Sequence, residues 1–140
     1  MMPLFNVYGK LVKKNVNKHL IKWDGKSRSK LQYQVKQFLK PHWKNHICYE
    51  EFPAYGCKLK VDILNATLRI AVEINGPQHS KFNPFFHNNS RTQFFHGIQR
   101  DMRKREWLEK NDFQLIEINE DEIPKLSRDF IKEKFGVDIF

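Results

Sequence analysis

Leu59–Asn75 reads LKVDILNATLRIAVEIN, and this stretch decides the fold. LKVDIL (59–64) and LRIAVEIN (68–75) have the β-branched content of strands, and Asn65-Ala66-Thr67 between them is turn chemistry. The nearly continuous apolar run AVEI predicts a central strand covered on both faces. Upstream, HICYEEF (46–52) reads as a third strand, with Pro53-Ala54-Tyr55-Gly56 as its turn. Downstream, Gly76-Pro77 ends the central strand and SKFNPFFHNNS (80–90) is a polar-aromatic loop. A long helix is predicted over about 91–110, with Phe94, Ile98, Met102, Arg105 and Leu108 along one stripe. FQLIEI (113–118) is a fourth strand, and Glu120 to Phe135 reads as a closing helix with Pro124 near its start and Gly136 after its end.

Before the strands, Asp24-Gly25-Lys26-Ser27 is a turn, and Ser27 or Ser29 can cap a helix. Leu31, Val35, Phe38 and Leu39 give that helix its apolar side, and Pro41 is predicted to stop it. Its polar side carries Arg28, Lys30, Lys36 and Lys40 and no acid. LFNVYGKLVKKNV (4–16) alternates loosely around Tyr8-Gly9-Lys10, as a short hairpin or an extended arm does. Residues 1–26 are therefore expected to form a basic N-terminal arm or hairpin, and 27–140 a single domain. The element order predicts an α/β fold, a mixed central sheet of about four strands flanked by helices.

The chain has 140 residues, room for one domain with a core of its own. Its net charge is +9 with histidines neutral, unevenly spread. Residues 1–50 hold 11 basic side chains and two acids, while residues 51–140 hold 14 of each. A basic third on a neutral remainder suggests a polyanion partner, nucleic acid before an anionic membrane. Hydrophobic content of 40% excludes a disordered chain, and no apolar run is long enough to span a bilayer. The N-terminus lacks the pattern of a signal peptide, and Cys48 and Cys57 make no disulfide framework, so a cytoplasmic setting is expected.

Two acids stand out by position. Asp62 lies inside VDIL and Glu73 inside AVEIN, where an ionised carboxylate is costly to bury without a cation or donors. On neighbouring antiparallel strands they can lie side by side, and bound Mg²⁺ relieves their repulsion. The carbonyl of Ile74 can add a third oxygen. The competing reading pairs them with Lys60 or Arg69. His79 follows the strand end, where a near-neutral pKa suits water activation. Asp101 and Arg100 open the charged run of the long helix, either leaning over the sheet end or lying on a solvated face.

VDIL, then AVEINGPQH, then QRDMRKREWLEKNDFQLIEIN together resemble the PD-(D/E)XK nuclease superfamily. Within it the pattern is similar to the very short patch repair endonucleases and to phage homing endonucleases with an E-D-x-H-D arrangement. The resemblance covers about residues 28–118 and implies a restriction-endonuclease-like αβββαβ core. It also implies Asp62 and Glu73 as metal-binding acids, His79 as the activating histidine and Asp101 as the last acid. The signature lysine is replaced by Asn75, as it is missing from the branch resembled. The leading acid has no counterpart in the first helix, which offers Gln32, Gln34 and Gln37. Glu50 or Glu51 fills that place, Glu51 being carried into the catalytic set, or the place is vacant.

The expectation is a Mg²⁺-dependent DNA endonuclease, Mn²⁺ being an alternative ion, acting on double-stranded DNA with a homing-like or mismatch/nick-type role and a phage or bacterial origin. Phosphates are expected to meet Lys10, Lys13, Lys14, Lys18, Arg28, Lys30, Lys60 and Arg100. His79, His87 and His96 with Cys48 or Cys57 lack the paired spacing of zinc sites, so structural zinc is not expected. Phe82, Phe85, Phe86, Phe94 and Phe95 read as a small core under the loop or as a wedge between base pairs. The alternatives are a Holliday-junction-type resolvase and a non-catalytic nucleic-acid binder on a degenerate nuclease fold. Membrane attachment ranks last.

Overall fold

A computed structural model describes residues 2–76 and 91–139, with side chains from 98 onward in the second stretch. The strands β3 (Cys48–Pro53), β4 (Lys60–Asn65) and β5 (Ile70–Asn75) run antiparallel in sequence order. Helix α2 (Arg91–Lys110) then leads to β6 (Gln114–Asn119), which lies parallel to β5. The result is a four-stranded mixed sheet in the order β3-β4-β5-β6, the α/β architecture expected. Helix α1 (Lys30–Trp43) precedes it, and a 3₁₀ turn (Glu120–Lys125) and α3 (Arg128–Phe135) follow. At the N-terminus β1 (Met2–Phe5) and β2 (Leu11–Lys14) form a separate antiparallel hairpin.

Both faces of the sheet are covered. On one, Val35, Leu39 and Trp43 of α1 and Ile131 of α3 pack on Ile63, Ile70, Val72, Ile74, Ile116 and Ile118. On the other, Trp107 and Leu108 of α2 join Leu4 and Val16 over Tyr49, Phe52, Val61, Leu64 and Ala71. This double covering accounts for the apolar β5. The open edge of β3 is screened by the chain before α1: Leu20 bridges to Tyr49, and Ile21 N–H donates to the Cys48 carbonyl at 3.0 Å.

Several boundaries differ from the sequence reading. Pro41 sits inside α1 instead of ending it. The two residues beyond it bring Trp43 fully into the core, where its indole N–H donates to the Ile139 carbonyl at 2.8 Å. That burial offsets the lost helical hydrogen bond. Ser29 is the cap of α1, its hydroxyl accepting from Gln32 N–H. The closing helix breaks in two, and Ser127 caps the second part as Ser29 caps α1, its hydroxyl accepting from Phe130 N–H. Gly136, in the left-handed region at φ +69°, terminates it.

Lys36 is not on a solvated face. It is fully buried, donating to the Gly25 carbonyl at 2.8 Å and to Glu50 Oε1 at 3.1 Å. On α2 the proposed apolar stripe is only partly inward: Leu108 is buried, whereas Ile98 and Met102 are exposed. Trp107, one residue before Leu108, takes the inward place with it.

Candidate functional site

The ladder between β4 and β5 pairs Asn65 with Ile70, Leu64 with Ala71 and Ile63 with Val72. One step further two carboxylates take over its hydrogen bonds. Asp62 N–H donates to Glu73 Oε2 at 3.0 Å, and Ile74 N–H donates to Asp62 Oδ2 at 2.9 Å. Asp62 and Glu73 are 4% and 8% exposed, so the backbone donors replace water that the strands exclude. In extended chain the N–H and C=O of one residue point to the same side. The Ile74 carbonyl therefore faces the same gap as Asp62.

On the other side of β4 the ladder with β3 is interrupted at the matching position. Glu50 pairs with Ile63 and Phe52 with Val61, while Glu51 between them adopts a left-handed backbone at φ +53°. For a non-glycine residue that conformation costs on the order of 1–2 kcal/mol. It turns Glu51 toward Arg28, whose Nε is 3.6 Å from Glu51 Oε1 and whose Nη2 is 3.9 Å from Asp62 Oδ1. Gln32 Nε2 reaches Glu50 Oε2 at 2.8 Å and Glu51 Oε1 at 3.5 Å. Of the two adjacent acids, Glu50 is thus held by Lys36 and Gln32, and Glu51 faces the Asp62 site.

The third wall comes from α2. Asp101 and Lys104, three residues apart and so on one helical face, line a cleft of about 220 Å³ with Glu73, Asn75 and Glu117. The Lys104 ammonium donates to Glu73 Oε1, and Arg105 pairs with Glu117, the residue opposite Glu73 on β6. Burial, and then the negative charge of Asp62, raise the Glu73 carboxyl well above the ordinary carboxylate range; Lys104 opposes the shift without reversing it. Burial raises the Glu51 carboxyl too, with Arg28 opposing and Asp62 adding to the rise. Asp62 therefore lies between two acids whose protons are held more tightly than usual.

Among the described residues no three His, Cys, Asp or Glu side chains converge tightly enough to hold an ion by themselves. The donor set still suits Mg²⁺, which takes one or two carboxylates and completes its shell with water and substrate phosphate. Asp62, Glu73 and the Ile74 carbonyl would hold it, in place of the charge now supplied by Arg28 and Lys104. Cys48 and Cys57 are free thiols. The Cys48 thiol, pushed up to about 12 by burial, stays protonated in the core.

Asp62, Glu73, Ile74 and Glu51 thus come together, and Asp101 joins them through the α2 cleft. Arg28 lies on the acids, and Lys60, at the exposed start of β4, acts on the Glu51 charge. Lys18, His19, Lys22, Lys26 and Arg28 line a groove of about 280 Å³ together with Glu50 and Glu51. Burial, and then Lys18 and Lys60, lower the His19 pKa, which keeps that ring neutral at physiological pH. Lys30 lies to one side, beside Tyr33 on a separate surface depression with Lys26. Arg100 is exposed on α2. Lys10, Lys13 and Lys14 are exposed on the hairpin, Lys14 with its ammonium 5.1 Å above the Tyr55 ring. His79, His87, Phe82, Phe85 and Phe86 lie outside the described residues, and Phe94, Phe95 and His96 outside the described side chains. Sequence reasoning missed Lys104 and Gln32. The signal for Lys104 was its spacing of three from Asp101; Gln32 carried none beyond its place on α1.

Two curated relatives share a part of this chain. A viral protein called "Uncharacterized protein 033L", from Invertebrate iridescent virus 3, is 39% identical over 66 residues, 47% of this chain and 34% of its own length. "Uncharacterized protein 307L", from Invertebrate iridescent virus 6, is 40% identical over 60 residues, 43% of this chain and 30% of its own length. The matches span about a third of the length of these relatives. No family model matches the chain, and no solved structure does. None of the described helices is long and apolar enough to cross a membrane.

Proposed function

We propose that the protein is a Mg²⁺-dependent endonuclease of double-stranded DNA, on a fold of the PD-(D/E)XK type. The observation that carries this reading is the interrupted ladder. Asp62 sits between Glu51 and Glu73, buried, where pairing with β5 gives way to side-chain hydrogen bonds and pairing with β3 is broken at Glu51. A sheet built only for stability has no use for three neighbouring acids there, since each one raises the cost of ionising the next.

Mg²⁺ held here by Asp62, Glu73 and the Ile74 carbonyl would supply positive charge to a phosphate and activate a water. Asp62 and Glu73 provide hard oxygen ligands, fixed by the backbone N–H groups that hold each carboxylate. Lys104 brings an ammonium to Glu73 where the signature lysine is replaced by Asn75, and it is placed to offset charge on the scissile phosphate. Asp101, on the same helical face, orients Lys104 or a water in the cleft. His79, a few residues beyond β5, is the proposed base. The groove of Lys18, Lys22, Lys26 and Arg28 leads the DNA backbone toward Glu51.

A second reading, a DNA binder without chemistry, draws on the ion pairs that Arg28 and Lys104 already make with these acids. Supercoiled plasmid incubated with Mg²⁺ or with EDTA separates the two. Nicked or linear product with Mg²⁺ alone, lost in Asp62→Asn and Glu73→Gln, is the expected result. Duplex binding with no Mg²⁺-dependent cleavage of plasmid, mismatched or branched DNA would overturn the enzyme and leave the binder.

A further inference from the structure

The β1–β2 hairpin has an inner side tied to the body and an outer side left in water. On the inner side Leu4 is buried against the Trp107 and Tyr55 layer. The Phe5 carbonyl accepts from Trp107 Nε1 at 2.7 Å and from Asn111 Nδ2 at 3.0 Å, and Phe5 N–H donates to Asn111 Oδ1 at 2.7 Å. Val7 N–H donates to the Tyr55 carbonyl, and the Tyr55 hydroxyl to the Met2 carbonyl. An isolated two-stranded ribbon is marginal in water, so these ties fix its position.

The tip is fixed as well. Asn6 Oδ1 accepts from Tyr8 N–H at 2.9 Å and from Lys10 N–H at 3.0 Å. Gly9, at φ +85°, takes the left-handed place that closes the turn. This ordered tip carries Tyr8 at 83% exposure, and the cross-strand pair Phe5 and Leu11 beside it is 42% and 56% exposed. Lys10 and Lys13 are exposed on the same ribbon. No acid occurs before Asp24, whereas lysines stand at 10, 13, 14, 18 and 22.

We propose that the outer side of this ribbon enters a groove of duplex DNA. The major groove admits a two-stranded β-ribbon. Tyr8, Phe5 and Leu11 make the apolar contacts with base edges, and Lys10 and Lys13 meet the flanking phosphates. Charge selects the occupant: an acid-free ribbon of lysines with an apolar centre complements a polyanion with a stacked interior. The chain leaves β2 directly into the basic groove beside Glu51, so one duplex can meet both. The inference rests on the proposed DNA substrate, and not on its cleavage.

The test is fluorescence anisotropy of a labelled duplex with the full chain in EDTA, over a range of KCl. Tyr8→Ala is expected to weaken binding about tenfold with the salt slope unchanged, because the contact is not ionic. Lys10→Gln with Lys13→Gln is expected to flatten the slope of log K against log salt by about 1.8. Thermal melting of both proteins should match the wild type, since none of these side chains is packed. Wild-type affinity in Tyr8→Ala, or a loss confined to single-stranded DNA of the same sequence, overturns the ribbon inference. So does wild-type DNA binding joined to a changed sedimentation coefficient, which makes the ribbon a self-association surface. In these cases binding by the wild type leaves the endonuclease reading standing. A wild-type chain that binds no duplex removes both.

Discussion

Two acids on strands either side of β4 meet opposite treatment. Glu50 on β3 has one oxygen bonded to the fully buried Lys36 and the other to Gln32, so its charge and its lone pairs are answered from α1. Glu73 on β5 has Lys104 on one oxygen, but its other oxygen lies against Asp62, and its carboxyl is raised by burial and by that neighbour. The first centre is closed and joins a helix to the sheet. The second keeps negative charge in excess of its partners. On the proposed reading this surplus is what a bound cation answers, while the balanced pair is a joint in the structure.

The largest effect that separates them is on stability. Lys36→Met removes the fully buried cation that answers Glu50 and leaves that carboxylate with Gln32 alone, and should cost about 3 kcal/mol in urea unfolding. Adding Glu50→Gln should recover much of it. Next comes the opposite behaviour at the open centre: Asp62→Asn removes a repulsion, so the urea midpoint should hold or rise while Mg²⁺-dependent plasmid nicking falls at least about a hundredfold. Should Asp62→Asn unfold the protein as Lys36→Met does, the two centres are alike and the distinction fails.

A smaller effect follows from pH. The Glu73 pKa is raised in the folded chain, so its contribution to stability is full below the ordinary carboxylate value and is lost as pH rises through the raised one. Glu51 is shifted in the same direction. In EDTA the wild-type urea midpoint should therefore fall relative to that of Glu73→Gln between about pH 5 and about pH 9. A difference that grows in the other direction would place the charged carboxylate, not the neutral one, as the favoured form. The smallest effect concerns the core beside α1: with its thiol held protonated, Cys48 should resist a disulfide reagent until the protein unfolds.

What the sequence discloses of all this depends on range. The near-continuous apolar composition of VDIL and AVEIN, with acids among β-branched residues, is local, and it foretold both strands and their carboxylates. Ser29 as a cap and the parallel strand after a long helix are also local or follow from chain order. Lys36 is different. Spacing alone puts it beside Lys40 on a polar side, and only the long-range approach of β3 supplies Glu50. Pro41 likewise reads as a stop until Trp43 is known to reach Ile139. Glu51 is told from Glu50 by a backbone φ that no residue type announces. Lys104 is hidden in a charged run, DMRKREWLEK, beside Arg103 and Arg105, which carry the same charge.

The most direct test of the open centre is thermal melting in EDTA against Mg²⁺, without DNA. An ion that binds only the folded chain raises the melting temperature by mass action. The wild type should be stabilised by Mg²⁺, Glu50→Gln should respond as fully, and Asp62→Asn and Glu73→Gln should not respond. A wild type indifferent to Mg²⁺, or an Asp62→Asn protein stabilised to the same extent, would contradict the claim that Asp62 and Glu73 hold the ion.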